Sequence, residues 1–287
     1  MTEPSVTPAT PDAIEPGVTP PASVSANHAG TRFRRGTFTP KPGRGRPLPM
    51  LITQARIESL LALRNGEQVL LTLLIPLLLL IGLTLLTFVP MPAPRIDAVT
   101  PRIIALAIMS SAFTSQAIAL GFDRRYGVLK RLAATAVPRW SLVAGRVLAA
   151  LVIVVIQLIV LGVAAAFLGW SPAAAGAGWA VALVVIGTFA FGALGVLLGG
   201  ALRAEIVLAL ANVIWFVLLL AGGVALAPAT LPSGVGDAVR YLPSGALAEA
   251  LTGALRYGAA PGWLPVLVLL GWGIAATALA VRTTKLT

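Results

Sequence analysis

Residues 142–168, LVAGRVLAALVIVVIQLIVLGVAAAFL, decide what kind of protein this is, because Arg146 is their only charged side chain. A helix rises about 1.5 Å per residue, so about 20 such residues cross the ~30 Å hydrocarbon layer of a bilayer. Lipid offers the backbone no hydrogen-bond partner, so a run of this kind has to satisfy its own N–H and C=O groups as a helix. Five more apolar blocks flank it, at residues 69–89, 103–122, 178–201, 206–227 and 264–281. No alternating segments of the β-barrel kind are present. The expectation is an all-α integral membrane protein with six transmembrane helices.

The composition agrees. Of 287 residues 57% are apolar and 11% charged, against about 25% charged in an ordinary soluble domain. Mean hydropathy is +0.92. The chain has no Cys, which excludes disulfides, iron–sulfur clusters and thiolate zinc sites. Its one His, His28, lies in a Pro-rich tail, so no metal site and no imidazole chemistry are expected within the spans.

Residues 1–49 read as a disordered, basic tail. Ten of the 22 prolines lie between Pro4 and Pro49, with Ser, Thr and Gly between them, which leaves nothing to build a core. No apolar stretch follows promptly, so the tail lacks the pattern of a signal peptide. Residues 50–68 are expected as an interfacial helix with a ragged apolar face, and residues 69–287 as the membrane domain.

The net charge of +11 belongs to orientation. Seventeen of the 21 Lys and Arg fall on one side of the six blocks: in residues 1–68, between Arg124 and Arg146, at Arg203, and at Arg282 and Lys285. Arg95, Arg102, Arg240 and Arg256 are left for the other side. Basic loops stay in the cytoplasm, so both termini are expected there. The charge then needs no nucleic-acid partner; membrane lipids are the expected contact.

The loop 121–140, GFDRRYGVLKRLAATAVPRW, carries the densest pattern. Asp123 can cap a short helix, Phe122, Tyr126, Leu129 and Ala133 share one helical face, and Pro138 ends it. Two interpretations stand: a helix that docks into a groove of a soluble partner, or a basic helix resting on anionic headgroups. The succession of a pre-span helix, RNGEQVLLTLLIPLLLLIG (64–82) at the first block, a polar second block, DRRYGVLKRLAATAVPRW (123–140) and GRVLA (145–149) resembles the ABC-2 family of ABC exporter permeases, in the daunorubicin-resistance-type branch of actinobacteria.

The resemblance covers about residues 50–287 and implies much about function. Six spans would form half of a channel. Asp123, Arg124, Arg125, Tyr126, Gly127, Leu129, Lys130 and Arg131 would form the coupling helix that fits a cleft of a cytoplasmic ABC ATPase subunit. Two ATPase copies and a second permease, identical or related, would complete the complex. Arg64 and Glu67, beside the membrane and able to pair at i, i+3, are further candidates for that interface. ATP and Mg2+ would sit in the partner, with no cofactor on this chain. The residues agree: none of Lys41, Lys130 or Lys285 follows a Gly, so G-x-x-x-x-G-K-[ST] is absent and no enzymatic role is expected.

Polar side chains inside the blocks mark either a cargo path or interhelical hydrogen bonds. In block two these are Ser111, Thr114 and Ser115, with Ser110 at the edge and Gln116 adjacent; block three has Gln157, and block five has Asn212 and Trp215. The absence of fixed charge among them points to an amphipathic or apolar cargo. In block four, Gly195 and Gly199 form G-x-x-x-G, which serves either packing within the chain or a dimer seam.

In residues 228–262, Leu247, Leu251, Ala254 and Leu255 share one helical face and Glu249, Thr252 and Arg256 the other. The resemblance makes this a pair of short extracellular re-entrant helices before the last span, with Leu247, Glu249 and Leu251 at an outer gate. The function expected is the permease subunit of an ATP-driven exporter for a drug, antibiotic or lipid. Two alternatives stay open: a permease for a polysaccharide or lipid-linked glycan, and a non-transporting scaffold that recruits a cytoplasmic partner.

Overall fold

A computed structural model of the chain describes residues 46–86, 91–133, 138–221 and 234–283. Helix α1 spans Pro47–Arg64 and α2 spans Gly66–Leu85. The first helix begins at Pro47, three residues before the boundary expected from composition. Proline suits that place, since its fixed φ fits the first helical turn and its missing N–H is one that turn leaves unbonded anyway. Residues 1–45 of the expected tail lie outside the described residues.

The second block is longer than its apolar stretch. It runs without interruption from Arg95 to Arg125 as α3 (Arg95–Ile108), a π-helical turn (Met109–Ser115) and α4 (Gln116–Arg125). Pro101, just ahead of the expected start of this span, lies buried inside α3. Neighbouring helices can take up the hydrogen bonding a proline breaks. Then follow α5 (Val128–Ala133), α6 (Arg139–Phe167), a 3-10 turn (Ala174–Gly176), α7 (Ala177–Ala201) and α8 (Ala204–Ala221). The chain continues through α9 (Val235–Val239), α10 (Pro243–Tyr257) and α11 (Trp263–Thr283). No strand occurs among the described residues.

Four helices among the described residues have the length and apolarity to cross a bilayer: 95–125, 140–167, 174–201 and 263–282. Two shorter apolar helices, Thr72–Leu85 and Ala204–Leu220, stand where the first and fifth blocks were read. Their expected ends, 87–89 and 222–227, lie outside the described residues. The bare faces need lipid: Ile159 and Val163 on α6 are 61% and 53% exposed.

The core forms where α3 and its π turn meet α6, α7 and α10. Leu106, Ile108, Met109, Phe191, Leu247 and Leu251 are almost completely buried there. Small residues set the spacing. A Cβ on Gly195 would sit 2.6 Å from the Phe113 carbonyl oxygen, and one on Gly199 would meet Ala117 and Leu120. The G-x-x-x-G of α7 is therefore the seat of the second span, and its small residues serve packing within the chain.

The α10 helix follows its sequence pattern. Leu247, Leu251, Ala254 and Leu255 are buried against the core and Glu249 faces out, 3.9 Å from Arg240. Gly187 of α7 makes room for Leu247, whose methyls would lie 2.9 Å from a Cβ at that position. Gly258, at φ 64°, ends the helix: its N–H reaches the Ala254 carbonyl and that of Ala259 the Gly253 carbonyl.

Candidate functional site

The loop 121–140 is an elbow built from the end of one span and a separate short helix. Asp123 does not cap it. The second span stays helical through Arg125, and the break falls at Tyr126–Gly127, where Gly127 takes φ 72°. That left-handed conformation is open to glycine at little steric cost and turns the chain into α5.

The three charged residues before the break are engaged within the chain. Asp123 accepts a hydrogen bond from Arg146 of α6, and Arg146 lies 3.6 Å from Glu58 of α1. Arg146 is only 4% exposed, so this triad ties the pre-span helix to the second and third spans in partly dry surroundings. Arg124 donates to the Gly200 and Leu202 carbonyls at 2.6 and 3.1 Å and so caps the end of α7, where the last helical carbonyls lack partners. Arg125 pairs with Glu205 of α8 at 2.5 Å on the surface.

Leu129 anchors α5, packing with Leu120, Val196 and Ala280. Four of the eight residues assigned to coupling are exposed: Arg125, held to Glu205, Tyr126, stacked on Phe122 with ring centroids 6.1 Å apart, and Lys130 and Arg131. Of these, Tyr126, Lys130 and Arg131 present free surface beside a base formed by Asp123, Arg124 and Leu129. Arg64 is exposed at the end of α1. Its pairing with Glu67 at i, i+3 presumed one continuous helix, and Asn65 breaks it. The Glu67 side chain lies outside those described.

The polar residues of the spans divide into three groups. Ser111 donates to Gln157 Oε1 at 2.5 Å, and Gln157 Nε2 donates to the Thr72 carbonyl at 2.8 Å, which joins the π turn, α6 and α2. Trp215 Nε1 donates to Ser110 Oγ at 2.9 Å, which joins α8 to the π turn. Asn212 is exposed on α8 and donates to the Leu208 carbonyl of its own helix. The Thr114 hydroxyl is buried without a partner among the described residues.

Ser111, Ser115 and Gln116 line a cavity of about 200 Å³ between α1, α2, the second span and α6. The π turn brings them together: bonding at i→i+5 sets residues i+4 and i+5 both over residue i, which places Gln116 beside Ser115 on one face. The lining continues along α4 to Asp123, Arg146 and Glu58. The cavity that these polar residues share is therefore charged along part of its wall. Glu58, Arg146 and Glu205 were missed as site residues; the signal available for Arg146 was a charge inside an apolar block. Leu247 and Leu251, assigned to an outer gate, lie within the core, and Glu249 faces outward.

Among the described residues no cluster of acids or imidazoles is fit to hold a metal ion. Compared with known proteins, residues 51–255 match the family model of the ABC-2 type transporter. No curated protein matches the chain.

Proposed function

The chain belongs to the ABC-2 type transporter family, and from that premise we propose that it is the permease subunit of an ATP-driven exporter. The family establishes a multi-pass membrane protein and a non-catalytic permease component of an ABC transporter, a class that works with a separate ABC ATPase. The finer assignment has six spans, both termini in the cytoplasm of a bacterial cell, two permeases and two ATPase subunits, ATP and Mg2+ in the partner, and an amphipathic cargo moved outward.

One observation carries the coupling assignment. The elbow between spans two and three presents Tyr126, Lys130 and Arg131 on a base fixed from three sides: by Leu129 in the core, by Arg124 on the end of α7 and by the Asp123–Arg146–Glu58 triad. A surface that has to transmit force must not yield locally. Movement of an ATPase cleft holding α5 would pass into spans two and three and rock the half-channel. ATP drives the change because it binds the two states of the partner unequally.

The test uses the chain co-expressed with its ATPase. Tyr126→Ala, Lys130→Glu and Arg131→Glu together leave membrane insertion and melting temperature unchanged and abolish ATP-dependent transport, with loss of ATPase co-purification. Normal transport by the triple variant would remove the coupling role from the elbow.

A further inference from the structure

The cavity between α1 and spans one to three holds more charge than a passive gap needs. Two carboxylates and one guanidinium leave one excess negative charge. Arg146 serves Asp123 Oδ2, and Glu58 Oε1 accepts from Gln54 at 3.1 Å. The second oxygens, Asp123 Oδ1 and Glu58 Oε2, have no donor among the described residues. The two side chains keep 32% and 18% of their surface exposed. Gln116 is an independent sign of a ligand: it is nine-tenths buried, lines the cavity, and its amide has no hydrogen-bond partner among the described residues. The amide opens onto the cavity, where a ligand can take up its unused hydrogen-bonding capacity.

We propose that this cavity binds the protonated amine headgroup of an amphiphile. Asp123 and Glu58 supply the counter-charge, the Gln116 carbonyl oxygen accepts an N–H bond, and the tail lies along the apolar rim at Leu61 and Val69. Charge excludes an anion. Two carboxylates are too few for a divalent cation, which takes about six oxygens. The volume of about 200 Å³ falls short of the ~300–1,000 Å³ of pockets that enclose a drug-sized molecule, so a headgroup enters and the remainder stays in lipid. This deepens the permease assignment and rests on it for the meaning of the ligand: the amine comes either from a bilayer lipid or from a cargo.

The full chain in nanodiscs of phosphatidylglycerol, which carries no amine, is titrated with radiolabelled dodecylamine and, separately, dodecanol, with empty discs as background. Saturable binding of one amine per chain is expected, with none for the alcohol. Gln116→Leu should weaken it about tenfold through loss of a hydrogen bond to a charged group, and Ala119→Phe, which fills the cavity, should abolish it. Equal, unsaturable partitioning of both probes would overturn the proposal. So would unchanged binding by both variants, each folded as judged by its melting temperature. Adding phosphatidylethanolamine separates the sources: displacement of dodecylamine assigns the site to a bilayer lipid, and undiminished binding assigns it to a cargo. No ATP or partner enters the measurement. Failure here with intact coupling removes the site alone, and failed coupling with intact binding removes the motor assignment alone.

Discussion

Arg146 shows how one residue changes meaning between sequence and structure. In the sequence it is one of several bases at the start of an apolar block, a contribution to orientation. In the fold it is buried between Asp123 and Glu58. Removing one member of a buried ion pair strands the others, so Arg146→Met should cost about 3 kcal/mol of stability in detergent. Adding Asp123→Leu and Glu58→Leu removes the stranded carboxylates and should restore most of that loss, as read by thermal unfolding. Gly195 makes a similar point about space. Gly195→Leu should destabilise by about 2–3 kcal/mol, because the Phe113 backbone cannot move aside without opening the contact between α7 and the second span. Gly82 is a suitable control, since a Cβ there meets nothing within 4 Å. Gly82→Ala should be neutral or stabilise by up to about 1 kcal/mol, through the lower entropy of the unfolded chain.

At the scale of the element, the elbow separates two kinds of substitution that the sequence runs together. Phe122, Tyr126, Leu129 and Ala133 read as one helical face, but the break at Gly127 divides them between two helices. Leu129 faces the core and Tyr126 faces out. Leu129→Asp should therefore unfold the elbow, at a cost of about 3 kcal/mol for a lost apolar contact and a buried charge, with a lowered melting temperature. The exposed triple variant should instead uncouple without any change in melting. If both variants melted alike, the division of the elbow into base and contact surface would be wrong. The π turn is the other element the sequence could not reveal. Its residues, MSSAFTS, show no pattern that separates i→i+5 from i→i+4 bonding, and yet that turn decides whether Gln116 joins Ser111 and Ser115. By contrast α10 was fully legible, because an amphipathic face needs only periodicity to be seen.

For the whole molecule, deleting residues 1–45 should leave the melting temperature and the complex with the ATPase unchanged, since the described core begins at Pro47. Loss of assembly in the deleted chain would give the tail a structural role. A tag after Thr287 should resist protease added to intact cells, and cleavage there would overturn the cytoplasmic assignment of that end. By itself the sequence determined that the chain crosses a membrane as helices, about where they lie, and which face of α10 turns inward. Those follow from apolar run length, from periodicity and from the backbone's need to bond to itself in lipid. Only the tertiary structure decided which polar side chains meet. Ser111 and Gln157 are 46 residues apart, and Asp123 and Arg146 are 23. Hydrogen bonds and ion pairs between helices depend on how those helices are rotated against one another, and packing of small against large residues sets that rotation. No local pattern in the chain encodes it.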